Sequence, residues 1–594
     1  MPRRRSPKHH TGLSRLLPYA AERKGHLAVI ALLAALSAAA PVVGWHLVRD
    51  AIDNGIDKGD EHHLLLAVIA YVGVNAAAWV LGTLTWLGLA GVGQRIVLEL
   101  RRDLFEHLTS LSLRYFSQQK AGWIISRLTS DIDALSDVLN QGLTTLVVNT
   151  LTLVAAVGGL FLLDWRLGLV ALCVLPPGIV ITRWFQRVSH EAASEVRTRI
   201  AIVTAQLAES VAGMAVVQAF NRERAFQAEF DGLNEQNRVA NVRVQKIYSV
   251  FFPAIELLGA VATAAVIYAG AHFIGFGSMQ IGTLVAAVGL LALVFQPLQE
   301  LSELYGQVQA ASAAMDKISS VLDAEIDVAD RKDARLLGRI EGRLELDRVT
   351  FAYGDEPVLH EIDIAVAPGG CVALVGESGG GKSTTAKLIA RFYDPDEGAV
   401  RVDGTDLRDV QLVGYRRQLG VVLQDPFLFS GTIADNIRFA KPDASDDEVR
   451  ATAAAVGVDR VAARLEHGLE HVVREGGAGL SAGERQLISI ARALLADPRI
   501  LILDEATSNI DRPTEILIER AFDRLLSGRT SIIIAHRLAT VRRADEILVL
   551  EHGRIVQRGT EGELMGQDGP FRRLAHKLVE DTLPAPLSEE TPAA

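Results

Sequence analysis

The run Gly376-Glu377-Ser378-Gly379-Gly380-Gly381-Lys382-Ser383 sets a lysine and a hydroxyl at the end of a glycine-rich loop. It follows the apolar stretch Cys371-Val372-Ala373-Leu374-Val375 and opens a helix-like segment that begins at Thr384. G-x-x-x-x-G-K-S between a strand and a helix is the context in which a loop cradles a triphosphate. Without Cβ atoms, the glycines let backbone N–H groups turn inward and come close to phosphate oxygens. The helix that follows adds the positive end of its dipole. Lys382 is then placed to reach the β- and γ-phosphates, and the Ser383 hydroxyl to ligate Mg²⁺. The bland alternative, a glycine-rich loop with no ligand, does not account for the flanking strand and helix.

Further along the chain lie residues suited to the rest of triphosphate chemistry. Ile500-Leu501-Ile502-Leu503 reads as a buried strand ending in Asp504-Glu505. A carboxylate at such a tip can hold Mg²⁺ opposite Ser383, and Glu505 is then placed to orient and deprotonate a water. A second apolar strand, Thr530 to Ala535, delivers His536 towards a γ-phosphate. Gln424 follows Val421-Val422-Leu423 and could ligate the ion or its water, while Tyr353 precedes the loop at a distance suited to stacking on a base. Strand-end carboxylates and histidines are usually just solvated, but five such residues in this order around one phosphate loop are not independent accidents.

The elements that position these groups occupy only the second half of a 594-residue chain. The chain is 49% hydrophobic with a formal net charge of -11 and no basic face, which excludes a nucleic-acid binder. Apolar residues concentrate in six stretches, about 27–49, 64–92, 141–163, 167–185, 251–275 and 279–299, each near the ~20 residues that cross hydrocarbon. Basic residues (Arg3, Arg4 and Arg5; Arg95, Arg101 and Arg102; Arg187, Arg197 and Arg199) precede the first span and follow spans two and four. The loop after span one is acidic, with Asp50, Asp53, Asp57, Asp60 and Glu61. Positive segments stay inside, so both termini and the phosphate-binding domain are expected in the cytoplasm of a multi-pass plasma-membrane protein. The first span serves as the insertion signal.

The cytoplasmic segments between spans read as helices rather than loops. Ile96, Leu98, Leu100, Leu104, Leu108 and Leu111 recur among charges, and no proline interrupts Gln94 to Asn140. A two-helix hairpin there would project ~35 Å at 1.5 Å per residue, turning near residues 117–122; a second turn is expected near 220–224. The expected division is a six-helix membrane domain over 1–323, a linker over 324–342, a phosphate-binding α/β domain over 343–576 and a disordered Pro/Ala/Glu-rich tail over 577–594. Cys173 and Cys371 suggest neither a disulfide nor a metal site.

The chain resembles the ABC transporters, and as a whole a half-transporter of the exporter type. The mark is Leu480-Ser481-Ala482-Gly483-Glu484-Arg485-Gln486, which stands in place of the L-S-G-G-Q signature. The resemblance implies a fold of six transmembrane helices with long cytoplasmic extensions plus an α/β P-loop ATPase domain. It implies ATP and Mg²⁺ as cofactors. Tyr353 then stacks on adenine, Gly376 to Thr384 bind phosphates, and Gln424, Ser383 and Asp504 position the ion. Glu505 acts as general base and His536 as switch histidine, with Lys382 completing the catalytic set. Ser481 and Gly483 would close on the ATP of a second half, so a dimer is implied. Glu475 sits where the family places a contact to coupling helices, and the turns near 117–122 and 220–224 match those helices.

Two departures stand out. Ala482 replaces a glycine, adding a Cβ where backbone closes on phosphate, and Glu484 replaces a glutamine, adding charge near a tetra-anion. Ala506-Thr507-Ser508-Asn509-Ile510-Asp511 also departs from the common S-A-L-D. The combination is similar to the catalytically complete half of asymmetric bacterial heterodimers, and implies a partner with a normal signature and a substituted base; a homodimer with drift in its signature is the alternative. The expected function is ATP-driven export of hydrophobic or amphipathic compounds, drugs or lipids, across the membrane. Import of lipids or siderophores and a non-pumping regulatory subunit are the alternatives. Asn75, Trp79, Trp86, Asn149 and Glu256 are the polar or aromatic candidates for substrate contact within or near spans. Glu256 could equally sit at the cytoplasmic interface, and the tryptophans could face lipid.

Overall fold

The computed structural model describes residues 12–276, 279–504, 510–535 and 537–580. The chain divides into two compact units, Ala324 ending the first and Glu325 starting the second, with Ser110–Lys120 belonging to the second.

Six long helices among the described residues build the first unit: α1 (Lys24–Asp50), α2 (Glu61–Ser110), α3 (Leu143–Leu163), α4 (Trp165–Ala212), α5 (Glu223–Gly275) and α6 (Ile281–Leu322). Among the described residues, five helical stretches have the length and apolar composition to cross a membrane: Lys24–Ile56, Glu61–Ser110, Ala121–Leu163, Glu223–Gly275 and Ile281–Leu322. The remaining expected span, 167–185, lies inside the continuous helix α4, which is not one of the five. At 1.5 Å per residue, α2 runs roughly 75 Å, more than twice the ~30 Å hydrocarbon thickness, so much of it must project into water. Prolines sit within four of the helices, at Pro41, Pro176, Pro177, Pro253 and Pro297. Each removes one intrahelical bond, which neighbouring helices make tolerable.

Helices in lipid gain little from burying more hydrocarbon, so close packing has to hold them together. Phe185 of α4 stacks on Phe251 of α5 at 3.9 Å between ring centroids, and Tyr248 meets Phe185 edge-on at 5.2 Å. Ala156 and Leu160 of α3 interlock with Leu290, Leu291 and Val294 of α6 in one core. The tightest approach is at Gly289 of α6, where an added Cβ would stand 2.2 Å from the indole of Trp45.

The expected hairpin after α2 differs in detail. A short helix, Leu113–Gln118, precedes two further pieces, Ala121–Leu128 and Ser130–Asp137, broken at Thr129. The break is held by Arg127, which lies 4.1 Å over the Trp123 ring and pairs with buried Asp131; Lys317 reaches the same carboxylate at 3.4 Å. The second turn is made by the helix Met214–Ala219 and by Asn221, whose φ of 50° starts α5 in a new direction.

In the second unit, residues expected to form a linker pack along the sheet domain instead. Ile340 and Val328 are buried, Asp330 accepts from the Leu412 N–H at 2.8 Å, and Gln411 donates to the Ala334 carbonyl. The short helix Leu113–Gln118 also joins this unit: Ser112 donates to Asp327 at 3.1 Å, and Arg114 lies 5.9 Å over the Tyr393 ring.

Among the described residues twelve strands follow: β1 (Leu344–Ala352), β2 (Pro357–Val366), β3 (Cys371–Val375), β4 (Glu397–Val402), β5 (Thr405–Asp406), β6 (Leu419–Val422), β7 (Gly431–Thr432), β8 (Val472–Val473), β9 (Ile500–Asp504), β10 (Thr530–Ile534), β11 (Glu546–Glu551) and β12 (Arg554–Gly559). The main sheet has the order β12-β11-β3-β10-β9-β6, parallel except for the edge strand β12. Its central strands are apolar on both faces, as a sheet covered on both sides requires. A second, antiparallel sheet runs β2-β1-β4-β5. The helices that bear on the site are α7 (Lys382–Ile389), α8 (Ala482–Leu495) and α9 (Arg512–Leu526). A last helix, Pro570–Glu580, runs past the boundary expected at 576.

Gly289→Ala forces a Cβ into Trp45, and overpacking of this kind costs about 1–3 kcal/mol. The solubilised protein should melt at a lower temperature than wild type in a thermal-shift assay. An unchanged midpoint would show that Trp45 can move aside.

Candidate nucleotide-binding site

Parallel strands deliver their carboxyl ends to one edge of a sheet, and the candidate residues sit along that edge. Ile534 of β10 pairs with Leu374 of β3 on one side and with Asp504 of β9 on the other. Val422 of β6 pairs with Leu503. The glycine loop after β3, the chain leaving β10 towards His536, Asp504 at the tip of β9 and Gln424 just beyond β6 therefore leave the sheet side by side. Strands spaced ~4.8 Å apart put β3 and β9, two strands over, roughly 10 Å from each other. Glu505 and His536 lie outside the described residues; the strands that lead to them do not.

The loop itself is built for close backbone approach. Gly376, Gly379 and Gly381 have φ of 147°, 86° and 100°. A Cβ on Gly376 would stand 2.1 Å from the Leu550 carbonyl oxygen, and one on Gly381 would stand 2.4 Å from Leu359. Glu377, Ser378 and Gly379 are exposed on the outer curve, while Gly380 and Gly381 are buried beneath it. Lys382 is 5% exposed, and its Nζ donates to the carbonyls of Gly376 at 2.7 Å and Glu377 at 2.8 Å. Burial draws the Lys382 ammonium down from its usual range, and the Asp504 carboxylate opposes that. The lysine thus bridges the two ends of the loop, with Asp504 close enough to influence its charge. Ser383 remains exposed, while Thr384 and Thr385 are buried in the first turn of α7.

Tyr353 is tied to this turn. Its hydroxyl donates to Thr384 Oγ1 at 3.2 Å, Tyr393 and Phe351 meet its ring edge-on, and Lys387 Nζ lies 5.6 Å from its centre. Burial pushes the Cys371 thiol, in the strand before the loop, up to about 12, so it stays protonated and inert.

The stretch 480–486 caps α8. Ser481 is the N-cap: its Oγ accepts from the Glu484 N–H, and Glu484 accepts in return from the Ser481 N–H at 2.9 Å. The other Glu484 oxygen accepts from Arg464 at 2.7 Å. Both departures noted in the sequence therefore have a local explanation. The carboxylate at 484 completes a capping box and is neutralised by a guanidinium. Ala482 stands at the first helical position, exposed, and is absent from the residues with positive φ, so no glycine conformation is required there. Gly483 is different: a Cβ would lie 2.5 Å from Thr514 of α9, so this glycine serves helix packing as well.

Two further residues, Arg492 and Asn436, carry no motif that the sequence reveals. Arg492 of α8 donates to the Phe427 carbonyl at 3.1 Å and to the Asn436 carbonyl at 2.9 Å, and Asn436 in turn holds both the N–H and the carbonyl of Phe429. The loop beyond Gln424 is thereby fastened to the helix that carries Ser481. The Gly476 N–H, next to exposed Glu475, donates to Leu428 of that loop. Asp511 caps α9 through the N–H and hydroxyl of Thr514, bonds that hold its carboxyl below the usual range. Only the pairing of Asp511 with Thr514 three residues on could have been read as a helix start.

In the membrane unit, Trp79 and Trp86 are exposed on α2, Asn75 donates to the Tyr71 carbonyl, and Glu256 is exposed on α5. Asn149 is buried and donates to Glu300 of α6.

A family model described as the ABC transporter transmembrane region matches residues 27–298, and one described as ABC transporter matches residues 359–508. The chain is 36% identical over 487 residues to an ATP-dependent lipid A-core flippase of Syntrophus aciditrophicus (strain SB), covering 82% of this chain and 81% of that protein. It is 36% identical over 556 residues to a multidrug efflux ATP-binding/permease protein of Mycobacterium bovis (strain BCG / Pasteur 1173P2), covering 93% of this chain and 46% of that protein. A solved bacterial Atm1-family ABC exporter with ATP bound superposes with a TM-score of 0.79 at 28% identity, covering 96% of this chain and 100% of that one.

Arg464→Ala leaves the Glu484 carboxylate uncompensated at the cap. ATP turnover should weaken by about two- to tenfold, up to about 1.4 kcal/mol, and Glu484→Gln in the same chain should restore it. Equal losses in the single and double variants, measured by steady-state ATPase assay, would show that the pair does not act as a unit.

Proposed function

Because the chain belongs to the ABC transporter family, as an exporter-type membrane subunit whose ATPase is coupled to transport, we propose that it moves hydrophobic or amphipathic compounds, lipids or drugs, out of the cytoplasmic leaflet as one half of a pair. The observation that carries this reading is the glycine loop, where a Cβ at two positions would fill the cradle, set on the same sheet edge as Asp504, Gln424 and the strand leading to His536. The lipid and multidrug relatives support an apolar cargo. The basic segments before the first span and after spans two and four support a plasma-membrane topology with both termini and the ATPase domain in the cytoplasm.

Gly376 to Thr384 bind the phosphates through backbone N–H groups and Lys382, whose ammonium leaves the loop carbonyls for the β/γ oxygens. Tyr353 packs on the adenine. Ser383 and Asp504, with Gln424, would hold Mg²⁺ through a hydroxyl, a carboxylate and an amide oxygen. When bound, Mg²⁺-ATP supplies the phosphoanhydride bond whose hydrolysis resets the cycle. Glu505 takes the proton from the attacking water, and His536 donates a hydrogen bond to the γ-phosphate. Ser481 and Gly483 of one half close over the loop of the other, and the turns near 117–122 and 220–224 relay closure to the spans. Two global states, with the cavity facing either side, exchange by a shift of population.

The partner in this reading is a different half-transporter with an unaltered signature and a substituted base, the arrangement suggested by Ala482 and Glu484. A second reading, two copies of this chain, is favoured by one observation. Arg464 neutralises Glu484, and Ala482 adopts ordinary helical backbone, so both departures leave the cap intact.

Glu505→Gln should abolish steady-state hydrolysis and trap a closed, ATP-loaded pair, detected as retained radiolabelled ATP after gel filtration. Rapid turnover in that variant would remove Glu505 from its role. Native mass spectrometry of the trapped species decides between partners: one different subunit at equal stoichiometry supports the heterodimer, and two copies of this chain overturn it.

A further inference from the structure

A helix whose open face meets lipid should be apolar there, and α2 obeys this: Leu65, Leu66, Val72, Trp79, Leu84 and Leu87 are all exposed. The inner part of α6 does not. Gln296, Glu303 and Gln307 are exposed and Glu300 is half-buried, and their spacing of four, three and four residues puts them on one helix face. Leu290, Leu291, Val294, Pro297 and Leu304 occupy the packed side. Counted from Ile281, Glu300 lies roughly 28 Å along the helix, at the inner boundary of a ~30 Å hydrocarbon layer. A polar face at that depth belongs against water or protein, not against acyl chains.

Glu300 is held rather than loose. Asn149 of α3, only 8% exposed, donates its Nδ2 to one carboxylate oxygen at 2.7 Å, and Gln296 donates to the other at 2.9 Å. Both donors are neutral, and among the described residues no Lys, Arg or His pairs with this carboxylate. Two neutral amides thus fix the position of the carboxylate and supply no counter-charge, in surroundings where one is worth more than in water.

We propose that Glu300, positioned by Asn149 and Gln296, is the counter-charge that receives the cationic head of an amphipathic substrate entering from the cytoplasmic leaflet. The proposal rests on the transport reading given above and adds the sign of the substrate's charge. Charge complementarity selects an organic monocation. Val285 and Ala292, the exposed apolar residues of α6 on the outer side of Gln296, take the cation's hydrophobic body.

The test uses the complete assembly purified from its own membrane and embedded in lipid nanodiscs. Binding of tetraphenylphosphonium is followed by calorimetry, with tetraphenylborate as an anion of the same shape. Glu300→Gln should weaken the cation by at least about tenfold and leave the anion unchanged or tighter, while basal ATPase persists and shows the variant to be folded. Glu300→Asp, which keeps the charge, should stay within about threefold of wild type, and Asn149→Leu should fall between the two. A wild type that hydrolyses ATP but does not bind the cation overturns the proposal and leaves the transport reading standing. So does a Glu300→Gln variant that changes cation binding by less than about twofold or changes both ions equally. Carboxylate-dependent cation binding with no ATP turnover in wild type would uphold the site and sink the transport reading instead.

Discussion

Backbone N–H groups can hold a triphosphate only where no side chain stands between them and it, and the loop after β3 meets that condition at several contacts at once. Gly376 passes against the Leu550 carbonyl and Gly381 against Leu359, so the surrounding sheet admits no Cβ at either place. The rest of the second unit follows from this constraint. β11 supplies the carbonyl that confines Gly376, β2 supplies the leucine that confines Gly381, and β10 and β9 hold the carboxylate edge in register beside the loop. Lys382 spans the loop from carbonyl to carbonyl, and Asp504 lies near enough to favour its charge. The parts that would act on a phosphate are fixed by elements whose cores are apolar and close-packed.

The Ser481 cap shows how a sequence departure can be absorbed locally. A carboxylate in place of an amide at the third position of a helix costs little when it closes a capping box, and less when a guanidinium stands beside it. Arg464 does this from outside the motif, twenty residues upstream. Arg492 and Asn436 act similarly on the loop beyond Gln424, tying it to the same helix. The helix that Ser481 caps and the loop beyond Gln424 are therefore joined by hydrogen bonds within one chain.

Much of this was legible in residue order. The glycine loop, the strand tips at Asp504 and Ala535 and the signature stretch announce themselves through type and spacing, because each depends on local backbone geometry. What was not legible depends on contacts distant in sequence. Residues 324–342 look like a charged linker, yet Asp330, Ala334 and Ile340 pack on the ATPase domain through partners some 80 positions away. The second arm of the expected hairpin has no proline but is broken at Thr129, where Arg127, Trp123, Asp131 and Lys317 meet. Glu300 was passed over because it falls at the end of an apolar run, and only the fold shows that buried Asn149 reaches it.

ATP hydrolysis at the Lys382 loop is expected to drive movement of an amphipathic compound across a bilayer. Its most direct test is reconstitution of the purified assembly into proteoliposomes, following a fluorescent phospholipid between leaflets and a lipophilic cation into the lumen. At least one of these should move in a way that requires ATP and is lost with Lys382→Ala. Steady ATP hydrolysis that depends on Lys382 but moves neither compound in either direction would contradict it.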